Sequence, residues 1–569
     1  MRRTKTLAAV AAVSLLAAGC AGGTKTSNNA SAVKTQTVAE GSSTDKASHK
    51  TGGTVTISNE QGQTWTCQFN PFNPAVNLES LGFVYEPLVF VNLLQTQRAT
   101  PMLASSFQWS PDKKSIDFTI RDGVKWNDGQ PFSADDVAFT FNLMKQVPAT
   151  DLYALWTAAG LQSVTATGNQ VKMAFAQPAE PYFFNFANQV GIVPKHIFSA
   201  GEAAAHPDTW ADPAPVGTGP YKVSPCSPNN IQFKANPTYW QAGKPYIPTV
   251  EYPAYLDNGP ANLDLASGKA QWGSQFIPSI EQFYLAKSPD NHTWSPPVTN
   301  VNIFFNLDPS HPVTSQLAVR QAVASAIDRK QISAIGEGGQ QPPANQAGIV
   351  LPTFQKYYDQ AAVSAAGYDR PDVAKATTLL AGAGYSPAKP LKLNIITITG
   401  YTDWDASLAV IKHQLAPIGI ELTVSDLAQQ TFDDKLFTGS YDLAYYGEPG
   451  GPTPYYELRQ MLHSKNSAPI GKPASSNYER YINPAVDALF DQYGSADDAG
   501  QVAIIKQVEA AILKDIPIIP TTESVDWFQS NTKDIAGWPT KDDPYAQPSA
   551  FNAPDAEQVL LHLYSRSAQ

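Results

Sequence analysis

An α/β fold spread over two or three domains is what this chain predicts, and three observations carry that expectation. Strand and helix periodicities alternate along it: Thr54-Val55-Thr56-Ile57, 391–395 and 420–424 read as strands, and Ile116, Phe118 and Ile120 alternate with polar residues as a half-buried strand does. Helices are expected at 316–328, 405–416 and 501–514, the second with Leu408, Ile411 and Leu415 at helical spacing. A length of 569 residues exceeds what one hydrophobic core supports. Finally, 43% hydrophobic and 16% charged residues describe a globular chain, and no repeat of solenoid period is present.

The first 52 residues are expected to stand apart from this body. Arg2, Arg3 and Lys5 make a basic start, and 7–18 is an apolar run too short to span a bilayer. Leu16-Ala17-Ala18-Gly19-Cys20 sets small residues before a cysteine and resembles a bacterial lipobox. That implies a signal peptide over 1–19 and diacylglycerol on Cys20, holding the protein on the outer side of a cell membrane. An ordinary cleaved signal is the alternative. Residues 21–52 contain no aromatic residue and no Leu, Ile or Met. The stretch 20–52 is therefore read as a flexible tether, with a reach on the order of 30 Å. No later run approaches the length of a membrane span. With Cys20 lipidated, Cys67 and Cys226 remain, and an oxidising compartment allows them to pair; two separately buried thiols are the alternative.

The ordered chain opens at Gly53. Two Asp-Gly turns, Asp122-Gly123 and Asp128-Gly129, close the strand around 116–120. Ser133 and Asp136 then form a capping-box pattern, with Val137, Thr140, Phe141 and Met144 on one helical face.

Several chemistries are disfavoured. A net charge of −11 without an Arg- or Lys-rich run argues against nucleic acid. No P-loop, GxGxxG, GxSxG or HExxH occurs, and the eight histidines are scattered, so neither a cofactor nor a metal is expected. Asp403 and Asp405 flank Trp404, an arrangement compatible with glycoside hydrolysis. Acids so placed more often open a helix and meet its dipole. The expectation is that the protein is not an enzyme.

A series of short motifs runs in order: Tyr85-Glu86-Pro87-Leu88, Pro101-Met102-Leu103-Ala104, and 118–131 leading into Ala134-Asp135-Asp136-Val137. Gly217-Thr218-Gly219-Pro220-Tyr221, Asn236-Pro237-Thr238-Tyr239-Trp240, Val319-Arg320-Gln321-Ala322, Ala326-Ile327-Asp328-Arg329, 379–385 and 481–487 follow. Together they resemble the family 5 solute-binding proteins of ABC importers, the peptide- and nickel-binding type. The resemblance implies a type II-like, two-lobed periplasmic-binding fold with an extra inserted subdomain. Lobe I would hold 53–84, 197–298 and 517–569, the insert 85–196, and lobe II 299–516. It implies a monomer that closes on its ligand and presents it to permease and ATPase subunits. Closure then requires a ligand that touches both lobes.

For the ligand, two readings compete. Peptide-binding members place an aspartate for the peptide ammonium shortly after a tryptophan of lobe II. Here that position falls on Gly450 or Gly451, and Glu448 is the carboxylate able to replace it. The stretches 70–74, 82–88 and 451–455 resemble instead the oligosaccharide-binding branch. Sugars need planar rings with neutral amides and carboxylates, which Asn59, Glu60, Gln61, Trp65, Trp272, Gln275, Phe276, Trp404, Tyr445 and Tyr446 would supply. Core packing is the alternative for each aromatic and the expectation for most, with Trp404, Tyr445 and Tyr446 preferred as ligand-facing. An oligosaccharide is set slightly ahead of an oligopeptide, with nickel chelates and other small solutes behind. A polysaccharide-active enzyme and a surface signalling receptor are the readings from other classes.

Overall fold

The computed structural model describes residues 49–59, 64–73, 76–77, 79–95 and 98–567. Cys20, Glu60 and Gln61 lie outside the described residues, as does most of the expected tether. The last four residues of that tether, 49–52, are docked. His49 stacks on Tyr564 at 4.3 Å, Ser565 N donates to Lys50 O at 3.1 Å, and Gly52 N donates to Tyr246 O at 3.0 Å. Counting apolar side chains misses this anchor, because an imidazole face and backbone groups provide it.

Hydrogen bonding gathers the strands into three main sheets among the described residues. The first has seven strands, in the order Asn291–Thr293, Gln529–Asn531, Trp272–Gly273, Thr54–Ser58, Thr249–Pro253, Asn230–Ala235 and Tyr221–Ser227. Cys226, on its outermost strand, is disulfide-bonded to Cys67, 159 residues earlier. The second sheet is antiparallel: Ala104–Trp109, Ser115–Ile120, Gln170–Phe175 and Leu161–Thr167. Ser115–Ile120 buries Ile116, Phe118 and Ile120, as the alternation requires. The capping box of Ser133 and Asp136 forms at the start of helix Ala134–Gln146, which buries Val137, Thr140, Phe141 and Met144.

The third sheet runs Ile420–Leu427, Leu391–Ile398, Leu443–Gly447, Pro297–Phe305 and Ile518–Val525. Its two faces feed separate cores. Ile303, Phe305, Leu393, Ile395 and Tyr445 face helices Leu317–Ala326, Val373–Gly382 and Thr402–Leu415. Phe304, Ile396, Ile398, Ala444 and Ile518 face Pro454–Leu462, Pro484–Tyr493 and Asp498–Asp515. The longest of these helices ends against Arg320, whose guanidinium donates to Asp515 O at 2.7 Å and Ile516 O at 2.9 Å. It thereby satisfies carbonyls that a helix end leaves open.

The boundary expected at 516/517 does not follow the hydrogen bonding. Ile518–Val525 pairs antiparallel with Pro297–Phe305 and belongs to this five-stranded sheet. The chain passes to the seven-stranded sheet only afterwards. It does so beside the opposite crossing: Asp526 N donates to Pro296 O at 2.9 Å, and Phe528 N to Ser295 Oγ at 3.1 Å. Hinges of two-lobed folds are built from adjacent single-chain crossings of this kind.

Candidate ligand-binding cleft

The strand ends of both large sheets open on one cavity of about 980 Å³. From the seven-stranded side come Asn59, just beyond Thr54–Ser58, and Ser274, Gln275 and Phe276, just beyond Trp272–Gly273. From the five-stranded side come Thr399 to Tyr401, Asp403 and Trp404, which follow Leu391–Ile398, and Glu448 to Gly451, which follow Leu443–Gly447. Leu93, Leu94, Phe184 and Gln189 also line it, as do Asp526 and Trp527 at the crossing between the sheets. Ligand sites of open α/β sheets form at such carboxyl ends of strands.

Strand geometry decides between the two adjacent tyrosines. Successive side chains point to opposite faces, so Tyr445 and Tyr446 cannot both reach the cavity. Tyr446 lines it. Tyr445 is fully buried and hydrogen-bonded to Thr521 Oγ1 at 2.9 Å, which removes it from the ligand-facing set. Trp65 and Trp272 are corrected in the same way. Trp65 donates its indole N–H to Tyr252 O at 2.7 Å, and Trp272 donates to Pro548 O at 2.8 Å and packs edge-on against Trp538. Both rings belong to the lobe's hydrophobic core.

Asn59, Gln275, Phe276, Trp404, Tyr446 and Glu448 come together on the cavity wall. Asn59 Nδ2 donates to the Tyr252 hydroxyl at 2.9 Å, and Gln275 Nε2 to Asn262 Oδ1 at 3.1 Å, so both amides are held in place. Trp404 is half-buried. Its ring meets Tyr401 at 4.7 Å and 34°, and meets Tyr445 and Tyr446 edge-on at 5.6 and 6.5 Å.

The acids behave as burial dictates. Glu448 is buried, and its Oε1 has no hydrogen-bond partner among the described residues. Burial, and then the neighbouring Glu457, push its carboxyl up to about 8. Burial pushes Asp403, in the first turn of helix Thr402–Leu415, up to about 6. Behind it, burial and then Asp403 push Glu337 up to about 8, although Ser407 Oγ donates to Glu337 at 2.5 Å. Gly450 and Gly451, where the ammonium-binding aspartate was expected, have no room for a side chain. A Cβ on Gly451 would lie 2.5 Å from Tyr456 Cγ, and one on Gly450 would lie 2.9 Å from Val298 O.

Sequence reasoning missed Asp526, Trp527, Gln547, Asn552 and Asp555, all of which line the cavity. One local signal existed. Asp526-Trp527 repeats the dipeptide Asp403-Trp404, and both pairs open on the cavity. Asp526 accepts from Asn552 Nδ2, its Oδ2 is buried without a partner among the described residues, and burial pushes it up to about 7. Among the described residues, no Lys, Arg or His lines the cavity.

Comparison with known proteins agrees with this geometry. The family model described as "Bacterial extracellular solute-binding proteins, family 5 Middle" matches residues 98–469. A putative ABC transporter peptide-binding protein of Brucella ovis is 26% identical over 431 residues, covering 74% of this chain and 78% of its own length. Di/tripeptide-binding protein 2 of Pseudomonas aeruginosa is 25% identical over 461 residues, covering 77% and 83%. Among solved structures, a mannohexaose-bound oligopeptide ABC transporter periplasmic binding protein of Thermotoga maritima superposes with a TM-score of 0.81. It is 26% identical, over 90% of this chain and 98% of that one. The fold is the two-lobed periplasmic-binding fold, and the chain belongs to the bacterial extracellular solute-binding proteins of family 5.

Proposed function

We propose that this protein captures an oligosaccharide for an ABC importer, closing its two lobes on the sugar and presenting it to a permease driven by ATPase subunits. The observation that carries this reading is the cavity wall: aromatic rings and fixed neutral amides, with no cationic side chain among the described lining residues. Apolar C–H faces of a sugar stack on Trp404 and Tyr446, while its hydroxyls meet Asn59, Gln275 and the carboxyl groups. A micromolar site needs about 8 kcal/mol. A few stacked rings and several hydrogen bonds supply that without a buried ion pair. The mannohexaose held by the Thermotoga relative supports the reading.

An oligopeptide is the second reading. The names of the Brucella and Pseudomonas relatives favour it, and Glu448 on the cavity wall is a carboxyl able to partner an ammonium. Against it stands the free carboxylate of a peptide, for which the described lining residues hold no cation. Calorimetric titration against mannohexaose, cello-oligosaccharides and di- to pentapeptides separates the two. Heat with sugars supports the proposal, and heat with peptides alone refutes it. Lipid on Cys20 holds the protein at the membrane in this account, so Cys20→Ala releases it into the medium; full membrane retention of that variant contradicts the anchor.

A further inference from the structure

One wall of the cavity is a seam between two parts of the fold. Phe184 lines the cavity from the turn Phe184–Asn188, which Phe186 holds against Phe118 and Phe175 of the four-stranded sheet. A hydrogen bond from Val91 N to Asn188 Oδ1 at 2.7 Å ties that turn to strand Val89–Asn92. Facing it, Gly451 lines the cavity in front of Tyr456, on helix Pro454–Leu462 of the five-stranded side. The rings of Phe184 and Tyr456 meet edge to face at 5.7 Å. Behind them the seam continues through residues that do not line the cavity. The Arg459 guanidinium lies over the Tyr182 ring at 5.5 Å, and a Cβ on Gly494 would lie 3.1 Å from Pro178 O and 3.2 Å from Pro181 Cγ. Packing this close leaves no path for a sugar unit past the Phe184–Tyr456 pair. Elsewhere the lining reaches solvent: Leu256 is 62% exposed, and Asp257, Thr399 and Gln429 are exposed as well.

We propose that Phe184 and Tyr456 form a blind end, against which the oligosaccharide places one terminal unit while its other terminus points to the exposed rim. The proposal rests on the oligosaccharide reading and adds how the chain is held: by a terminus, not by an internal segment. The chemistry of the wall fits a chain end. Leu93, Leu94 and Phe184 supply apolar surface for the C–H face of a terminal ring. The Gln189 amide, which donates to Ala553 O at 3.2 Å, is a fixed polar group for a terminal hydroxyl. A further unit at this end would have to part the Phe184 and Tyr456 rings and then the Tyr182–Arg459 pair. A packed interior resists bulk added in this way. Oligomers capped at the enclosed terminus are therefore excluded, and caps at the other terminus are tolerated.

Calorimetric titration of the full chain tests this with mannohexaose or cellohexaose, whichever binds tighter, beside short peptides. The sugar is used unmodified, with a p-nitrophenyl group on its reducing end, and with a benzylidene acetal on its non-reducing unit. One of the two caps is expected to weaken binding by about tenfold or more, and the other to leave it within about threefold. Phe184→Ala, checked for folding by its melting transition, vacates the space of the ring and brings the costly cap within about threefold of the unmodified sugar. Caps tolerated at both ends, or rejected at both, overturn the proposal and leave the oligosaccharide reading intact. A costly cap that the folded Phe184→Ala variant does not relieve does the same. The comparison of caps on the unaltered protein stands whether or not the variant folds. Heat with peptides while both sugars are silent overturns the oligosaccharide reading and this proposal together.

Discussion

Removing the ring of Trp404 separates a binding wall from a core residue. One side of the indole lies on Tyr401 at 4.7 Å, its edges meet Tyr445 and Tyr446, and it lines the cavity with what remains. An aromatic side chain buries about 150–250 Å² when fully covered, and at half-buried Trp404 up to roughly a third of that surface stays open. About 80 Å² is then left for a ligand, worth ~2 kcal/mol at about 25 cal/mol per Å². Trp404→Ala is expected to weaken binding by about thirtyfold, since each ~1.4 kcal/mol is tenfold. Trp404→Phe, which keeps a planar face, recovers part of it. The assay is calorimetric titration with the best sugar of the panel, alongside a thermal melt of each variant. An alanine variant whose melting point drops while its affinity stays within about twofold of the parent would refute the stacking role.

Three further outcomes are expected. Burial raises Glu337, Glu448, Glu457 and Glu509 to about 8, and Glu79, Glu86, Glu523 and Asp526 to about 7. The native state therefore holds more protons than the unfolded chain between those values and the ordinary carboxyl range. The resulting stability is complete below about pH 4.5 and is lost as the pH rises through 7 to 8. Denaturant midpoints of the ligand-free protein should fall from about pH 5 to about pH 8.5, and a rise would contradict the burial of these acids. Gly451→Ala presses a methyl group into Tyr456, whose ring packs edge-on against Phe184 of the insert at 5.7 Å. A cost of about 1–3 kcal/mol is expected from overpacking, read as a lower melting transition with weaker ligand binding. Replacing Cys67 and Cys226 by serine should lower stability by about 2–4 kcal/mol in denaturant titration, because the bond closes a long loop; an unchanged midpoint would mean the bond contributes nothing.

Much of the fold was legible because local periodicity and burial coincide. The helix expected at 405–416 is Thr402–Leu415, and the strand expected at 420–424 is Ile420–Leu427. The site was legible only where loops leave strand ends, as at Asn59, Trp404 and Glu448. Tyr445 was separable from Tyr446 by alternation alone, a rule that residue type overrode. Trp65 and Trp272 look like any exposed tryptophan in sequence; only tertiary contacts with Tyr252, Pro548 and Trp538 make them core. Asp526, Gln547 and Asn552 escaped because tertiary packing, which local patterns do not reveal, brings them to the cavity. The first turn of helix Thr402–Leu415 was read as dipole chemistry, and that reading passed over the burial of Asp403 against Glu337.

The central claim is that a cavity with no cationic side chain among its described lining residues closes on a glycan. Titrating the full chain with mannohexaose, cello-oligosaccharides and a di- to pentapeptide series tests it directly. The account predicts stoichiometric heat with at least one of the two sugars and none with peptides. Stoichiometric peptide binding with silent sugars would contradict it and assign Glu448 to a peptide's ammonium group.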